Sequence, residues 1–158
     1  MKRKLIFITG YFGAPIKKTA EETAAFNKYE FLSLDDEIEK SDGRSVLRIC
    51  MSMGEHEYRN KEYEILSSII SEFESGSLKS TVICCGDGVL NDEMSRNLIK
   101  KYDLIIVGEN MSADELWENA SNEYGSYHAF MHFGSDKTRR KAFDQLYKRQ
   151  QQLFSSVF

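Results

Sequence analysis

The sequence predicts an α/β domain: a parallel sheet of four to five strands with helices on both faces, in a single unit over residues 1–158. Three observations carry this. Short apolar, partly β-branched runs alternate with helix-forming runs along the chain. The spacing between successive apolar runs leaves room for a helix, as βαβ units require. The first run, Leu5 to Ile8, is apolar at every position rather than at alternate ones. A strand covered on both faces reads that way, so this strand is expected inside the sheet.

The elements follow in order. The first strand ends in Gly10, a short turn contains Gly13, and a helix-forming run covers Ala20 to Phe26. Tyr29 to Leu34 reads as the second strand, and Asp35 to Lys40 as a helix start with acids in its first turn. Ser41-Asp42-Gly43 reads as a turn. Ser45 is placed to cap a helix from Val46 to Met53 that stops at Gly54. Tyr58, Leu66, Ile69, Ile70 and Phe73 have helical spacing, which predicts a long helix over Glu55 to Phe73. Glu74 to Ser80 is a polar loop, and Thr81 to Cys85 a buried strand running into Gly86-Asp87-Gly88. A helix is expected over Asn91 to Lys101 with Asn91 as its cap, then a fourth strand over Leu104 to Val107. Ser112 and Glu115 form a Ser-x-x-Glu capping box for the next helix. Residues 121–137 lose all period, and Thr138 to Phe154 is a basic amphipathic helix.

Composition narrows the class. Charged residues make up 29% and hydrophobic ones 41%, as in ordinary globular proteins. A net charge of −4 gives no support for nucleic acid as a partner. Cys50, Cys84 and Cys85 are an odd count, and adjacent residues on a strand point to opposite faces, so a disulfide framework is not expected. That fits a reducing cytoplasm. Met1-Lys2-Arg3-Lys4 before an apolar run superficially resembles a leader, but Gly10 and Gly13 break the run and Lys17-Lys18 stand where small cleavage-site residues should be. No stretch approaches the ~20 apolar residues of a membrane span.

In open parallel sheets ligands sit at the carboxyl ends of the strands. The residues to examine are therefore the loop from Gly10 to Thr19, Asp35-Asp36, Gly86 to Gly88, and Glu109-Asn110. The first has the layout of a P-loop: strand, glycine turn, helix N-terminus. In a working P-loop, turn amides wrap phosphates, a lysine reaches the outer ones and a Ser/Thr holds Mg²⁺. Here the motif reads Gly10-x-x-x-x-Pro15-Ile16-Lys17. Pro15 has no N–H and a fixed φ, and Ile16 replaces the lysine. Lys17, Lys18 and Thr19 could serve if the loop carries one inserted residue; alternatively they are solvated at a helix start.

With these elements in place, the chain resembles the shikimate kinase family of P-loop phosphotransferases. The best-matched stretch is Phe31 to Glu62. Leu32 to Glu39 is similar to the family's Asp-x-Asp-x-x-Ile-Glu, and Gly54 to Glu62 to its Gly-Glu-x-x-Phe-Arg-x-x-Glu. Gly86-Asp87-Gly88 stands where the family has three glycines, and Arg149 with Leu153-Phe154 resembles its Arg-x-Pro-Leu-Tyr segment. The resemblance implies a three-layer P-loop kinase-like fold with a lid-like segment at about 121–137. It implies an acceptor site built from Asp35 (the catalytic acid near the reacting hydroxyl), Tyr58, Arg59, Gly86, Asp87, Gly88 and Arg149. It further implies a nucleotide site of Gly10, Gly13, Lys17, Lys18 and Thr19, a small anionic molecule as ligand, and Mg-ATP as co-substrate if the phosphate site works. No resident metal is expected. Family members continue into a further strand and helix, so one edge strand is expected to be absent here.

Departures from the family pattern concentrate where phosphate is handled. Ser33 replaces an Asp that helps organise Mg²⁺, and Phe130 stands at the lid arginine. Asp87 replaces the middle glycine, placing a carboxylate near that of an acidic acceptor, and like charges there raise one pKa. Counting from Leu153-Phe154 puts Gln150 on the second acceptor arginine, with Arg149 beside it. The bland alternatives are a surface ion pair for Arg59, a turn residue for Asp87, a polar loop for Glu109-Asn110, a solvated face for the basic cluster around Arg139-Arg140, and buried small hydrophobes for Cys84-Cys85. His128 and His132, four apart, have no obvious third metal ligand. The expectation is a shikimate-kinase-like protein with impaired transfer. A non-catalytic binding or regulatory module, and a small-molecule kinase with a rebuilt phosphate site, are the alternatives.

Overall fold

A computed structural model describes residues 2–123 and 125–157. Its sheet has four parallel strands, β1 (Leu5–Gly10), β2 (Glu30–Ser33), β3 (Thr81–Cys84) and β4 (Asp103–Val107), in the spatial order β2-β3-β1-β4. β1 is internal, paired with β3 on one side and β4 on the other. All six of its residues are buried, which is why its sequence shows no polar alternation.

The pleat of β1 divides the core. Ile6 and Ile8, with Val82 and Cys84, pack on Ala20 and Ala24 of α1 (Ile16–Asn27). Leu5 and Phe7 face the larger core on the opposite side. That core is built by α2 (Leu34–Asp42), α3 (Val46–Met53), α4 (Glu55–Glu74), α5 (Glu93–Ile99), α6 (Ala113–Ser121) and α7 (Asp136–Val157). Helices therefore cover both faces, as the strand patterns predicted. No helix among the described residues is long and apolar enough to cross a membrane.

Side-chain caps set most helix starts. Ser45 accepts from the Arg48 N–H, so α3 spans the predicted Val46–Met53. Ser112 and Glu115 close the predicted capping box. Several boundaries differ. The helix predicted from Asn91 begins at Glu93, because Asp92 accepts from the Ser95 N–H and Val89–Asn91 forms a separate 3₁₀ turn. The turn expected at Ser41-Asp42-Gly43 is helical through Asp42 and ends on Gly43, whose φ of 88° suits glycine. α7 starts two residues before Thr138 and runs three past Phe154. Within the aperiodic 121–137 segment, of which Tyr124 lies outside the described residues, a 3₁₀ turn covers Ala129–His132.

Candidate functional site

The carboxyl ends of β1, β2 and β3 open into two adjoining clefts of about 290 and 390 Å³. Phe12, Asp35, Gly86, Asp87 and Glu123 line both. The first continues toward the Gly10–Lys17 loop, Ser33 and Asp36. The second continues toward Glu39, Val46 and Leu47 on one side and Ser126 and Tyr127 on the other. Three of the four strand-end stretches singled out in the sequence meet at these clefts; Glu109 and Asn110 line neither.

In the loop, four of the backbone donors are bonded within the protein. The Tyr11 N–H donates to the Val107 carbonyl, Phe12 to Gln150 Oε1 at 3.1 Å, Ala14 to the Tyr11 carbonyl and Ile16 to the Ala14 carbonyl. Pro15 has none to give. Large side chains hold this conformation: Tyr11 stacks on Tyr147 and Phe154, and Phe12 on His128, Phe130 and Phe143. Gly13, at φ 96°, lies so close to α6 that a Cβ there would overlap the Leu116 carbonyl, and Asn119 Nδ2 donates to its carbonyl. Gly10 likewise ends β1 where a Cβ would meet Val107.

Of the residues predicted to hold nucleotide, Lys17 is exposed and lines the first cleft. Lys18 is exposed and outside that lining, and Thr19 is half-buried, its carbonyl accepting from Thr23 Oγ1. Ser33, at the position of the Mg²⁺-organising acid, caps α2 by accepting from the Asp36 N–H. Around Lys17, four of the loop's amides are bonded within the protein, and Pro15, Ile16 and Ser33 stand where the family pattern has a glycine, a lysine and an acid.

On the acceptor side, Asp35 sits in the first turn of α2 and takes a hydrogen bond from Tyr58 OH at 2.6 Å. Burial pushes its carboxyl up to about 6, against the opposing effects of Tyr58 and Arg59. Arg59 is within this assembly but does not line either cleft. It is 8% exposed, its Nη1 donates to Glu62 (2.9 Å) and its Nη2 to Glu55 (3.0 Å) and Tyr127 OH (2.9 Å). The rings of Tyr58 and Tyr127 stand 4.7 and 5.2 Å from its guanidinium carbon. Glu62 is fully buried, and burial lifts its carboxyl to about 7 in spite of Arg59. A surface ion pair therefore does not describe Arg59. Gly88 lies beneath it, where a Cβ would overlap Arg59 Nη2. Gly86 lies between the clefts' two central acids; a Cβ there would come 3.1 Å from Tyr58 OH and 3.5 Å from Asp35 Oδ2.

Asp87 is more than a turn residue. It is 8% exposed, and its Oδ2 meets His128 Nε2 at 2.8 Å and Gln150 Nε2 at 3.0 Å. Burial alone would raise its carboxyl; the His128, Arg59 and Gln150 contacts outweigh that and hold it below the usual carboxylate value. The like-charge effect expected of Asp87 falls on Asp35, where it is one of the smaller upward influences.

Three placements bear on the sequence expectations. Arg149 is exposed on α7, while Gln150, one residue along and 100° around the helix, is 3% exposed and turned inward. His128 and His132 do not converge: His132 Nε2 meets the Ser126 carbonyl. No group of three His, Cys, Asp or Glu suited to a metal occurs among the described residues. In the basic cluster, Arg140 pairs with Asp114 and Asp144, and Arg139 with Asp136. Tyr127 is the site residue that sequence reasoning passed over; that reasoning weighs His128 only as a metal ligand, and Gln150 only as the occupant of an arginine position. The one available signal was Asp87 itself, an acid between two glycines at a strand end, which once buried needs donors.

A family model described as shikimate kinase matches residues 16–156, starting just past Pro15. The bifunctional shikimate kinase/3-dehydroquinate synthase of Thermotoga maritima is 32% identical over 96 residues, 61% of this chain and 18% of that protein. The shikimate kinase of Chlorobaculum parvum is 33% identical over 102 residues, 65% of this chain and 51% of that protein. The chain thus matches about half, or less, of the length of these relatives. Among solved structures, the shikimate kinase from Acinetobacter baumannii in complex with shikimate aligns at a TM-score of 0.82, 19% identity, 99% of this chain and 80% of that one. The shikimate kinase from Bacteroides thetaiotaomicron aligns at 0.79, 18% identity, 96% and 82%. At those identities the two structures establish the fold.

Proposed function

The chain belongs to the shikimate kinase family, and from that premise we propose that it is a member whose ATP-dependent phosphorylation of shikimate is greatly reduced or lost, and whose clefts bind a small molecule. The observation that carries this is the loop. Phosphoryl transfer rests on positioning and on neutralising phosphate charge. Each preorganised donor removed from such a site commonly costs ~10²–10³ in rate. Here Phe12 and Ala14 direct their N–H groups to Gln150 and Tyr11, Pro15 offers none, and Ile16, Ser33 and Phe130 replace the charged groups of the family pattern.

The test is titration with Mg-ATP at millimolar concentration, with and without shikimate, read by calorimetry and by ADP release. The expected result is no saturable nucleotide binding and no shikimate-dependent ADP release; either one would overturn the reading. Shikimate, the ligand of the Acinetobacter baumannii structure, is the first acceptor to try.

One observation favours the reading of a rebuilt kinase: Lys17 faces the first cleft. If ATP binds and Lys17→Ala abolishes that binding, this reading takes first place.

A further inference from the structure

The two clefts are unusually acidic. Asp35, Asp87 and Glu123 line both, Asp36 the first and Glu39 the second. Among the described residues, Lys17 is the only lysine or arginine in either lining. The nearby cations are engaged: Arg59 is bonded to Glu55 and Glu62 and covered by Tyr127, and His128 Nε2 is on Asp87 Oδ2.

Two of these carboxylates are anchored from behind and open in front. Asp35 is held through Oδ1 by Tyr58, and its Oδ2 has no partner among the described residues. The Asp87 side chain is 9% exposed, and both of its anchors, His128 and Gln150, bond Oδ2. No described group bonds Oδ1. Both residues line the clefts, so the oxygens that no described group bonds are within reach of a ligand donor there.

The chemistry of that ligand follows. Ionised carboxylates accept and do not donate. A ligand carboxylate would bring no proton and would add repulsion in a site already negative. A metal ion is a poor occupant, because no third ligand joins these two acids. An ammonium or hydroxyl group supplies the needed donors, and Phe12, Val46 and Leu47 offer an apolar surface for a carbon ring.

We propose that the cleft between Asp35 and Asp87 takes a small hydroxylated ring compound bearing a primary ammonium, and discriminates against carboxylates. This rests on the reading that the clefts bind a small molecule. It makes Asp87, held by Gln150, the residue that sets the charge preference.

The test compares three ligands with one ring: shikimate, its neutral methyl ester, and the analogue whose carboxylate is replaced by an aminomethyl group. Each is titrated calorimetrically into the protein without nucleotide at pH 7.5. The ammonium compound is expected to bind at least about tenfold more tightly than the ester, with shikimate weakest. Asp87→Asn keeps the shape and removes the charge, and should cut the preference for ammonium over carboxylate by about tenfold or more. Asp35→Asn should do the same, so that one variant carries the test if the other fails to fold. Shikimate binding as tightly as the ammonium compound, no ammonium binding up to roughly 10 mM, or an unchanged preference in a folded variant would overturn the proposal. Because no ATP is present, failure of the impaired-kinase reading is seen separately, in ADP release.

Discussion

The loop Tyr11 to Ile16 and the acidic wall from Asp35 to Asp87 stand at the same end of one sheet, yet they keep their polar groups in opposite ways. The loop turns the N–H donors of Tyr11, Phe12, Ala14 and Ile16 onto Val107, Gln150 and its own carbonyls. The wall anchors each central carboxylate by one oxygen and leaves the other open to the cleft. A site made of backbone amides depends on which acceptors the backbone finds. A site made of side chains can be kept while its charge is rewritten by exchanging residues. Gln150 joins the two regions, since its Oε1 accepts from Phe12 and its Nε2 donates to Asp87.

The largest effect should come from breaking the wall's buried support. Arg59→Met leaves the fully buried Glu62 without its cation. Loss of one partner of a buried pair costs about 3–5 kcal/mol. Urea unfolding should show that loss, and the double variant Arg59→Met/Glu62→Met should recover most of it. An Arg59→Met protein as stable as the parent would mean that the wall is not held by buried charge.

Next, Gln150→Leu strands the Phe12 N–H and removes a donor from Asp87, which should cost about 1–3 kcal/mol. If the two regions are joined through Gln150, this variant also weakens ligand binding at Asp87. Stability lost with binding unchanged would show the loop and the wall to be independent.

A smaller effect concerns pH. The carboxyls of Asp35 and Glu62 are raised in the folded state, to about 6 and about 7. Such acids take up protons in the folded state first, so stability grows as pH falls through those values toward the ordinary carboxylate range. Asp87 has the opposite shift, and its contribution stays intact until pH approaches that range. The melting temperature should therefore rise by roughly 3 °C between pH 8 and pH 5.5. A flat or falling profile would mean that burial does not dominate the wall's electrostatics.

The smallest expected effect is the sharpest on the loop. Restoring the motif with Pro15→Gly and Ile16→Lys should still give no Mg-ATP-dependent shift above about 1 °C, because Phe12 and Ala14 keep their present acceptors. A saturable shift would reduce the contrast between the regions to two residues.

Much of the fold was legible because its signals are local. Ser45, Gly54 and the Ser112–Glu115 box each mark an end within a few residues. Asn91 misled because Asp92, its neighbour, is an equally good cap and took the role. The site was legible where strand ends announce it, at Asp35 and Gly86 to Gly88, and where the family pattern marks Tyr58 and Arg59. The contacts that decide its character join Asp87 to His128 and Gln150, 41 and 63 positions away. His128 lies in a segment without period; the motif count does put Gln150 at the inward position, but not the bonds it makes to Phe12 and Asp87.

The central place of β1 bears on how the chain is made. Its partners, β3 and β4, end 74 and 97 residues later, at Cys84 and Val107. At ordinary translation rates of about 5–20 residues per second, the strand waits roughly 5–20 s before both of its edges can be paired. An apolar, β-prone segment waiting that long is a template for neighbouring nascent copies. Lys2-Arg3-Lys4 immediately precede it. In the finished fold Arg3 donates to the carbonyls of Phe73 and Leu78, but before α4 exists all three cations are free to repel another copy of the same segment. Charges flanking an apolar strand in this way oppose its self-association.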